Sequence, residues 1–493
     1  MSSSKSSQKP TGNIYSSEIS PFELFYQLAY MSTTAAAEIP RPKVFEIAQK
    51  VDATPSKFFQ EIGRLTDKMR YNYPDACRMV GERVKEESMR SVLFRLSDAL
   101  RSGEPIAGFL VREADAQGEG YSSTYQRDLE SLKKWNDGYT SVMVSVALIV
   151  IINMVSTMIY DLGIPVMAGM TFTAIIIGFI VAWVISRAAP QETISVPWAV
   201  GSPQQVQAHK LSKILLPVIA VVATILIFVG LPLGWTFIAI AAMMMPLGIM
   251  AWRAEGHVDK KDQEVAAFFR SLGGTATSRG TTLGKALDGM ELDSFPAMRE
   301  DIVKLTRRLK AGAKPAVCWA VFGRESGSSL INQTAGMFFA ATNLGGDPEK
   351  TGMLCSMFAS KVATARAYRK GVAATFVWLA LVMYVVLSAL MVFILEILKQ
   401  FIKMIEAALT IDEQEAATSD LASRMLAFNM PQTDFLGKLA LALIVMMALT
   451  NAFAMVASEG SKLMKMTFYL AAMFGMAGVA LLIVPPLVAS IVV

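Results

Sequence analysis

Histidine and cysteine are scarce in this sequence. His209 and His257 are the only histidines of its 493 residues, and Cys77, Cys318 and Cys355 the only cysteines. The cysteines lie far apart and without CxxC spacing, so neither a disulfide framework nor a thiolate metal site is expected, and small buried apolar side chains are the plain reading. Two isolated histidines at the aqueous ends of apolar runs give no basis for an imidazole metal centre or for most triads. A phosphate loop is missing as well, since Gly284-Lys285 lacks both the flanking glycine and the hydroxyl partner of GxxxxGK[ST]. HExxH and GxSxG do not occur. An intramembrane aspartyl peptidase would need two acids within apolar spans. Here Asp161 and Glu396 each stand at the end of one, and Gly345-Gly346-Asp347 lies in a charged stretch. The sequence therefore predicts a protein that is not an enzyme, with no catalytic residue, cofactor or metal.

Charge is thin overall. Only 18% of residues are charged, against about a quarter in soluble domains, while 53% are hydrophobic and the mean hydropathy is +0.42. The apolar residues concentrate in runs close to the roughly 20 residues that span a bilayer. Seven such runs cover 139–160, 164–186, 214–232, 235–252, 373–398, 439–457 and 467–492. The first two are joined by a tight turn from Tyr160 to Pro165, the third and fourth by Gly230-Leu231-Pro232-Leu233-Gly234. The fourth is short and holds Pro246, so a re-entrant pair with the third is the alternative; either arrangement leaves the chain on one side.

Sidedness follows from lysine and arginine in short connections. Arg187, Lys210 and Lys213 oppose Glu192 between the second and third runs, Lys462 and Lys465 oppose Glu459 between the sixth and seventh, and Arg253 follows the fourth. The first hairpin offers only Asp161, and 399–438 carries Glu406, Asp412, Glu413, Glu415, Asp420 and Asp434 against Lys399, Lys403, Arg424 and Lys438. Every basic connection falls on the side of the N-terminus. The expected organisation is a disordered Ser/Lys/Pro/Gly tail at 1–19 with no secretory h-region, a cytoplasmic module at 20–138, spans one to four in 139–252, and a second cytoplasmic module at 253–372. Spans five to seven follow in 373–493, with an external loop at about 399–438 and the C-terminus outside.

Both hydrophilic modules read as successive helices. SKFFQEIGRLTDKM places Phe58, Phe59, Ile62, Leu65 and Met69 at helical spacing, and SMRSVLFRLSDALRSGEP adds Val92, Leu93, Leu96 and Leu100 before Gly103 and Pro105 stop the helix. The second module has the same style and matches the first in order. Arg64-Leu65-Thr66-Asp67-Lys68 corresponds to Lys304-Leu305-Thr306-Arg307-Arg308, and Leu100 to Pro105 corresponds to Asn343 to Pro348. Phe25-Tyr26 and Phe268-Phe269 precede these pairs, so a duplication is inferred. The fold class is all-α: a polytopic membrane protein with about seven transmembrane helices and two duplicated cytoplasmic helical-bundle modules.

This plan, with FFRSLGGTATSRGTTLGKALD and the stretch around FGRES-GSSL as its most characteristic segments, resembles the F-domain family of type II secretion and type IV pilus systems. The four spans between the modules resemble its archaeal members, the archaellum and archaeal pilus platform proteins, including fused Tad-type forms. The resemblance runs from about residue 20 to the end, and the first module departs from it at Met31 to Glu38. It implies a platform, or assembly core, that couples a cytoplasmic hexameric secretion ATPase to insertion of prepilin or archaellin subunits from the bilayer. It also implies a homodimer or small homo-oligomer. A secondary transporter is the alternative; such proteins place ionisable or broken-helix sites near the bilayer midplane, where this chain has almost no ionisable residue.

Charge suggests where a partner docks. Residues 1–138 hold 19 basic and 19 acidic side chains, whereas 255–370 hold 17 basic and 12 acidic. The excess gathers in Arg299, Lys304, Arg307, Arg308, Lys310 and Lys314, with residues 304, 307 and 308 along one helix face. Arg299, Lys304, Arg307, Arg308 and Lys310 are the candidate ATPase-docking residues, with a solvated or headgroup-facing surface as the competing explanation. The patch is small and lacks interleaved aromatics, so no nucleic acid partner is expected. Asn153, Ser156, Thr157, Gly169, Gly178, Asn451, Gly475 and Gly478 within the spans suit close helix packing or a groove for a partner's apolar helix.

Overall fold

A computed structural model describes residues 15, 17–156, 163–228, 232–411 and 431–492. Most of the expected N-terminal tail, the turn after the first span, Gly230-Leu231 and the centre of the external loop lie outside these residues. Among the described residues the regular elements are all helices, with one isolated antiparallel bridge, Ser195 to Ser328. Its helices are α1 (Pro21–Ala35), α2 (Arg41–Ala48), α3 (Ser56–Met69), α4 (Tyr73–Arg83), α5 (Glu87–Arg101), α6 (Ile106–Ser156), α7 (Gly163–Ala188) and α8 (Pro203–Phe228). They continue with α9 (Leu233–Arg279), α10 (Leu283–Asp288), α11 (Arg299–Lys310), α12 (Pro315–Glu325), α13 (Ser329–Asn343), α14 (Pro348–Ile411), α15 (Pro431–Glu459) and α16 (Met466–Val492). Among the described residues seven helices are long and apolar enough to cross a membrane, and they correspond in order to the seven apolar runs. The chain is an all-α, multi-pass membrane protein.

The expected boundaries at 138/139, 252/253 and 372/373 each fall inside one helix, α6, α9 and α14. No proline stands within five residues of any of these boundaries, so nothing stops the backbone ladder where composition changes. Helix α9 also runs unbroken past Pro246.

The contacts divide the chain into two compact units. The first comprises 1–126, 192–202 and 257–366, and the second 127–191, 203–256 and 367–493. In the first unit Leu24, Leu28, Phe45, Phe58, Phe59, Ile62, Leu93, Leu96 and Leu110 form a core. The apolar faces expected of α3 and α5 are inside, except that Met69, the last residue of α3, is 58% exposed. A second aromatic core joins Phe269 to Phe338 with ring centroids 5.2 Å apart and Trp319 to Phe338 at 5.7 Å. Phe25 meets Phe358 at 5.1 Å, and Lys361 pairs with Asp115 at 2.7 Å, so α1, α6 and α14 pack in the same unit.

Helices α9 and α14 come into close backbone contact at two glycines. A Cβ on Gly273 would lie 2.4 Å from the Pro348 carbonyl oxygen, and one on Gly352 would lie 2.5 Å from that of Phe269. The first glycine of FFRSLGG, Gly273, is therefore a helix-crossing contact inside α9, whereas Gly274 faces open space. The turns after α5 and α13 share one construction. Gly103 (φ 77°) and Gly345 (φ 90°) are left-handed, and the next N–H (Glu104, Gly346) bonds the carbonyl of Ala99 or Ala341 at 3.1 Å. The structural partner of Gly103 is thus Gly345, one residue from the Gly346 that the sequence pairing selects.

In the second unit α15 packs against α7 and is the best-buried span, with 61% of its apolar window inside, whereas α8 has 11%. The small residues serve internal packing where they meet a neighbour. Gly478 backs onto Gly234, whose carbonyl oxygen would be 2.9 Å from an added Cβ, and Gly248 backs onto the Phe468 backbone. The Tyr139 hydroxyl donates to Asn451 Oδ1 at 2.5 Å. Gly169 faces open space.

Candidate functional site

Helix α11 carries all five cations singled out in the sequence. It is amphipathic, with Ile302 and Leu305 buried, and Glu264 of α9 accepts the N–H groups of Ala297 and Met298 just ahead of it at 3.1 Å. Glu300 and Asp301 occupy its first turn and Arg307, Arg308 and Lys310 its last, an order that complements the helix dipole. Part of the basic excess therefore stabilises the helix itself.

Three of the five are also neutralised within the chain. Arg299 pairs with Asp293 at 3.2 Å, Arg308 with both oxygens of Glu325 at 2.8 Å, and Lys310 with Asp288 at 2.6 Å. The Glu325 carboxylate holds the Arg308 guanidinium above its usual range. Lys304, half-buried, and Arg307, exposed, have no ion-paired acid among the described residues. Of the five, these two keep a charge that no acid of the described chain neutralises.

A second feature of the first unit is a buried charge network that the sequence does not single out. Arg366, 6% exposed, donates through Nε and Nη2 to Glu192 Oε1 at 3.0 and 2.6 Å. Its Nη1 bonds Asp262 Oδ2 at 2.6 Å, and its Nη2 also reaches Ser329 Oγ at 3.1 Å. The Ser328 hydroxyl closes the set by donating to Asp262 Oδ1. Burial works against the Arg366 charge, but the Glu192 and Asp262 carboxylates outweigh it and keep the guanidinium firmly protonated. Beside them Lys261 pairs with Asp301 at 2.6 Å, both nearly fully buried.

This network fastens residues 192–202 to the first unit. Val196 N–H donates to the Gly327 carbonyl and Ser329 N–H to that of Ile194, both at 3.1 Å, which forms the Ser195–Ser328 bridge. Trp198 is buried in the same segment. Sequence reasoning treats 187–213 as a basic connector in which Glu192 is a minority acid. Its partner stands 174 residues away, a separation that no periodicity spans. The only signal was negative: an acid standing alone in a cationic loop.

In the second unit Arg369, 2% exposed, is held by carbonyl groups. It donates to those of Pro190 at 2.8 Å and of Ala457 and Ser458 at 3.0 Å. The last two belong to the final turn of α15, where the dipole favours a cation. Gly460 (φ 72°) ends that helix, and a Cβ there would lie 2.5 Å from the guanidinium.

Among the described residues no cluster of three or more His, Cys, Asp or Glu side chains could hold a metal. A cavity of about 20 Å³ between Phe25, Ala29, Val111, Leu354, Phe358 and Lys361 has room for about one water.

Over 321 residues the chain is 27% identical to a protein named flagella accessory protein J from Methanocaldococcus jannaschii, a match covering 61% of this chain and 56% of the relative. Over 313 residues it is 26% identical to the protein of the same name from Methanococcus voltae, covering 58% and 55%. The matched part thus spans little more than half the length of these curated relatives. No family model matches the chain, and no solved structure does.

Proposed function

We propose that the chain is the membrane platform of an archaeal type IV pilus- or archaellum-like filament machine. The observation that carries this reading is the similarity to two proteins named flagella accessory protein J. The all-α, seven-span build supports it. In this reading the segments 20–138 and 253–372 are duplicated F-type modules on the cytoplasmic side, and the C-terminus faces out. A separate hexameric secretion ATPase docks on them, and its cycle moves prepilin or archaellin subunits from the bilayer into a growing filament. The platform acts as a homodimer or small homo-oligomer. Such work needs a stiff helical body to receive force and a membrane bundle to hold an apolar helix during transfer.

The docking surface is α11, with Lys304 and Arg307 as its free charges and an acidic face on the motor as its complement. Charge of this kind sets approach and register more than total affinity. Lys304→Glu with Arg307→Glu is expected to weaken binding of the full-length chain to its secretion ATPase. The loss should be larger at low salt, where screening is weak. Arg299→Gln and Lys310→Gln, which remove cations already paired at home, should change binding less. Co-purification of motor and platform over a salt series measures this; binding that is indifferent to Lys304 and Arg307 at every salt concentration refutes the assigned surface.

A further inference from the structure

The seven tryptophans divide sharply by exposure. Trp198 and Trp319 of the first unit are 5% and 2% exposed. Trp135, Trp183, Trp235, Trp252 and Trp378 of the second unit are 46%, 56%, 59%, 51% and 71% exposed. An indole facing bulk water leaves a large apolar ring uncovered. At a membrane boundary the same ring lies against acyl chains while its N–H stays wet. The positions along the spans fit that boundary. Trp135 precedes the run 139–160, Trp183 is near the end of 164–186, Trp252 ends 235–252, and Trp378 lies just inside 373–398. At about 1.5 Å per residue, each is within about 8 Å of a span end, comparable to the depth of a headgroup layer. All four ends belong to the face from which the chain enters its first span, while Trp235 starts the fourth run on the opposite face.

Exposed cations accompany three of the four. Lys133 and Lys134 adjoin Trp135, Arg253 adjoins Trp252, and the Arg187 guanidinium carbon lies 5.5 Å from the Trp183 ring centroid. None of these four cations has an ion-paired acid among the described residues, although Asp137 is exposed close to Lys134. On α9 the Trp252 ring is stacked on Phe468 at 6.0 Å, which fixes its place on the surface. Unneutralised cations beside indoles that face the acyl boundary are complementary to a lipid phosphate.

We propose that Trp135, Trp183 and Trp252, with Lys133, Lys134, Arg187 and Arg253, form a collar on the second unit that binds anionic lipid headgroups in preference to zwitterionic ones. Phosphate oxygens accept from the ammonium and guanidinium groups, and the indoles set the depth at which the headgroup sits. The collar rests on the span arrangement alone and is independent of any motor, so it can fail while the filament reading stands, and the reverse.

The test reconstitutes the full chain in phosphatidylcholine vesicles containing a small fraction of brominated lipid, either phosphatidylglycerol or phosphatidylcholine. Quenching of tryptophan emission then compares the two headgroups. The native chain should be quenched at several-fold lower brominated phosphatidylglycerol, and the preference should shrink as salt rises. Glutamine at Lys133, Lys134, Arg187 and Arg253 together should bring the ratio close to one, since each cation near an anionic surface contributes up to about fivefold at low salt. Glutamine at four exposed cations of the first unit, Lys57, Lys68, Lys85 and Lys314, controls for net charge and should leave the ratio in place. Equal quenching by both lipids in the native chain, an unaltered ratio in the collar variant, or an equal fall in the control would each overturn the collar.

Discussion

Arg366 shows what one side chain can hold together. Its guanidinium satisfies two carboxylates, a hydroxyl and a carbonyl in a buried site. Removing one partner of a buried ionic set leaves uncompensated charge, at a cost of about 3–5 kcal/mol. Arg366→Ala should therefore free residues 192–202 first, with hydrogen exchange of that segment rising by about a hundredfold or more. Exchange as slow as in the native protein would show that the network does not fasten the segment. Arg366→Lys keeps the charge but loses the fork that spans Glu192 and Asp262, and should fall between.

The three cysteines are all buried and unpaired by disulfide. Burial pushes the Cys77 thiol up to about 12 and the Cys355 thiol upward as well. The thiolate is the reactive species, so a maleimide or iodoacetamide probe should leave the native protein unlabelled near pH 7.5 and modify all three once it is denatured. Labelling of the folded protein within minutes would contradict the burial. At this scale the sequence was informative where periodicity governs, as for Phe58, Phe59 and Ile62 of α3. It was silent on Glu192, Asp262 and Arg366, because a long-range ion network leaves no local pattern.

Helix crossings govern the next scale. Gly273 and Gly352 are fixed by the distance between α9 and α14, since a side chain at either meets backbone that cannot move aside. Gly273→Leu should abolish folding of the first unit or lower its melting temperature severely. Gly120, exposed in α6 with open space around it, is different. Gly120→Ala should be neutral or stabilise by about 0.5–1 kcal/mol, because alanine only restricts the unfolded chain. Thermal melts followed by circular dichroism distinguish the two, and equal effects would contradict the crossing. The existence of the apolar helices was legible from their runs, but their ends were not. Helix α6 continues for 51 residues because a change from charged to apolar composition is not a stop signal. The left-handed turn at Gly345 likewise needed backbone angles to distinguish it from its neighbour Gly346.

At the scale of the molecule, the membrane character followed from composition and seven apolar runs, whereas the grouping of chain segments did not. The first unit gathers residues on either side of four spans, including Arg64 and Arg307, into one compact body. Sidedness then becomes the claim on which the filament reading depends, because a cytoplasmic motor can reach α11 only if that body is inside the cell. The direct measurement is labelling of single-cysteine variants with a membrane-impermeant maleimide, using Arg64→Cys and Arg307→Cys in the full chain. The buried native thiols keep the background low. Both sites should resist the reagent in intact cells and react in inverted membrane vesicles. Reaction of either site from outside intact cells would contradict the account.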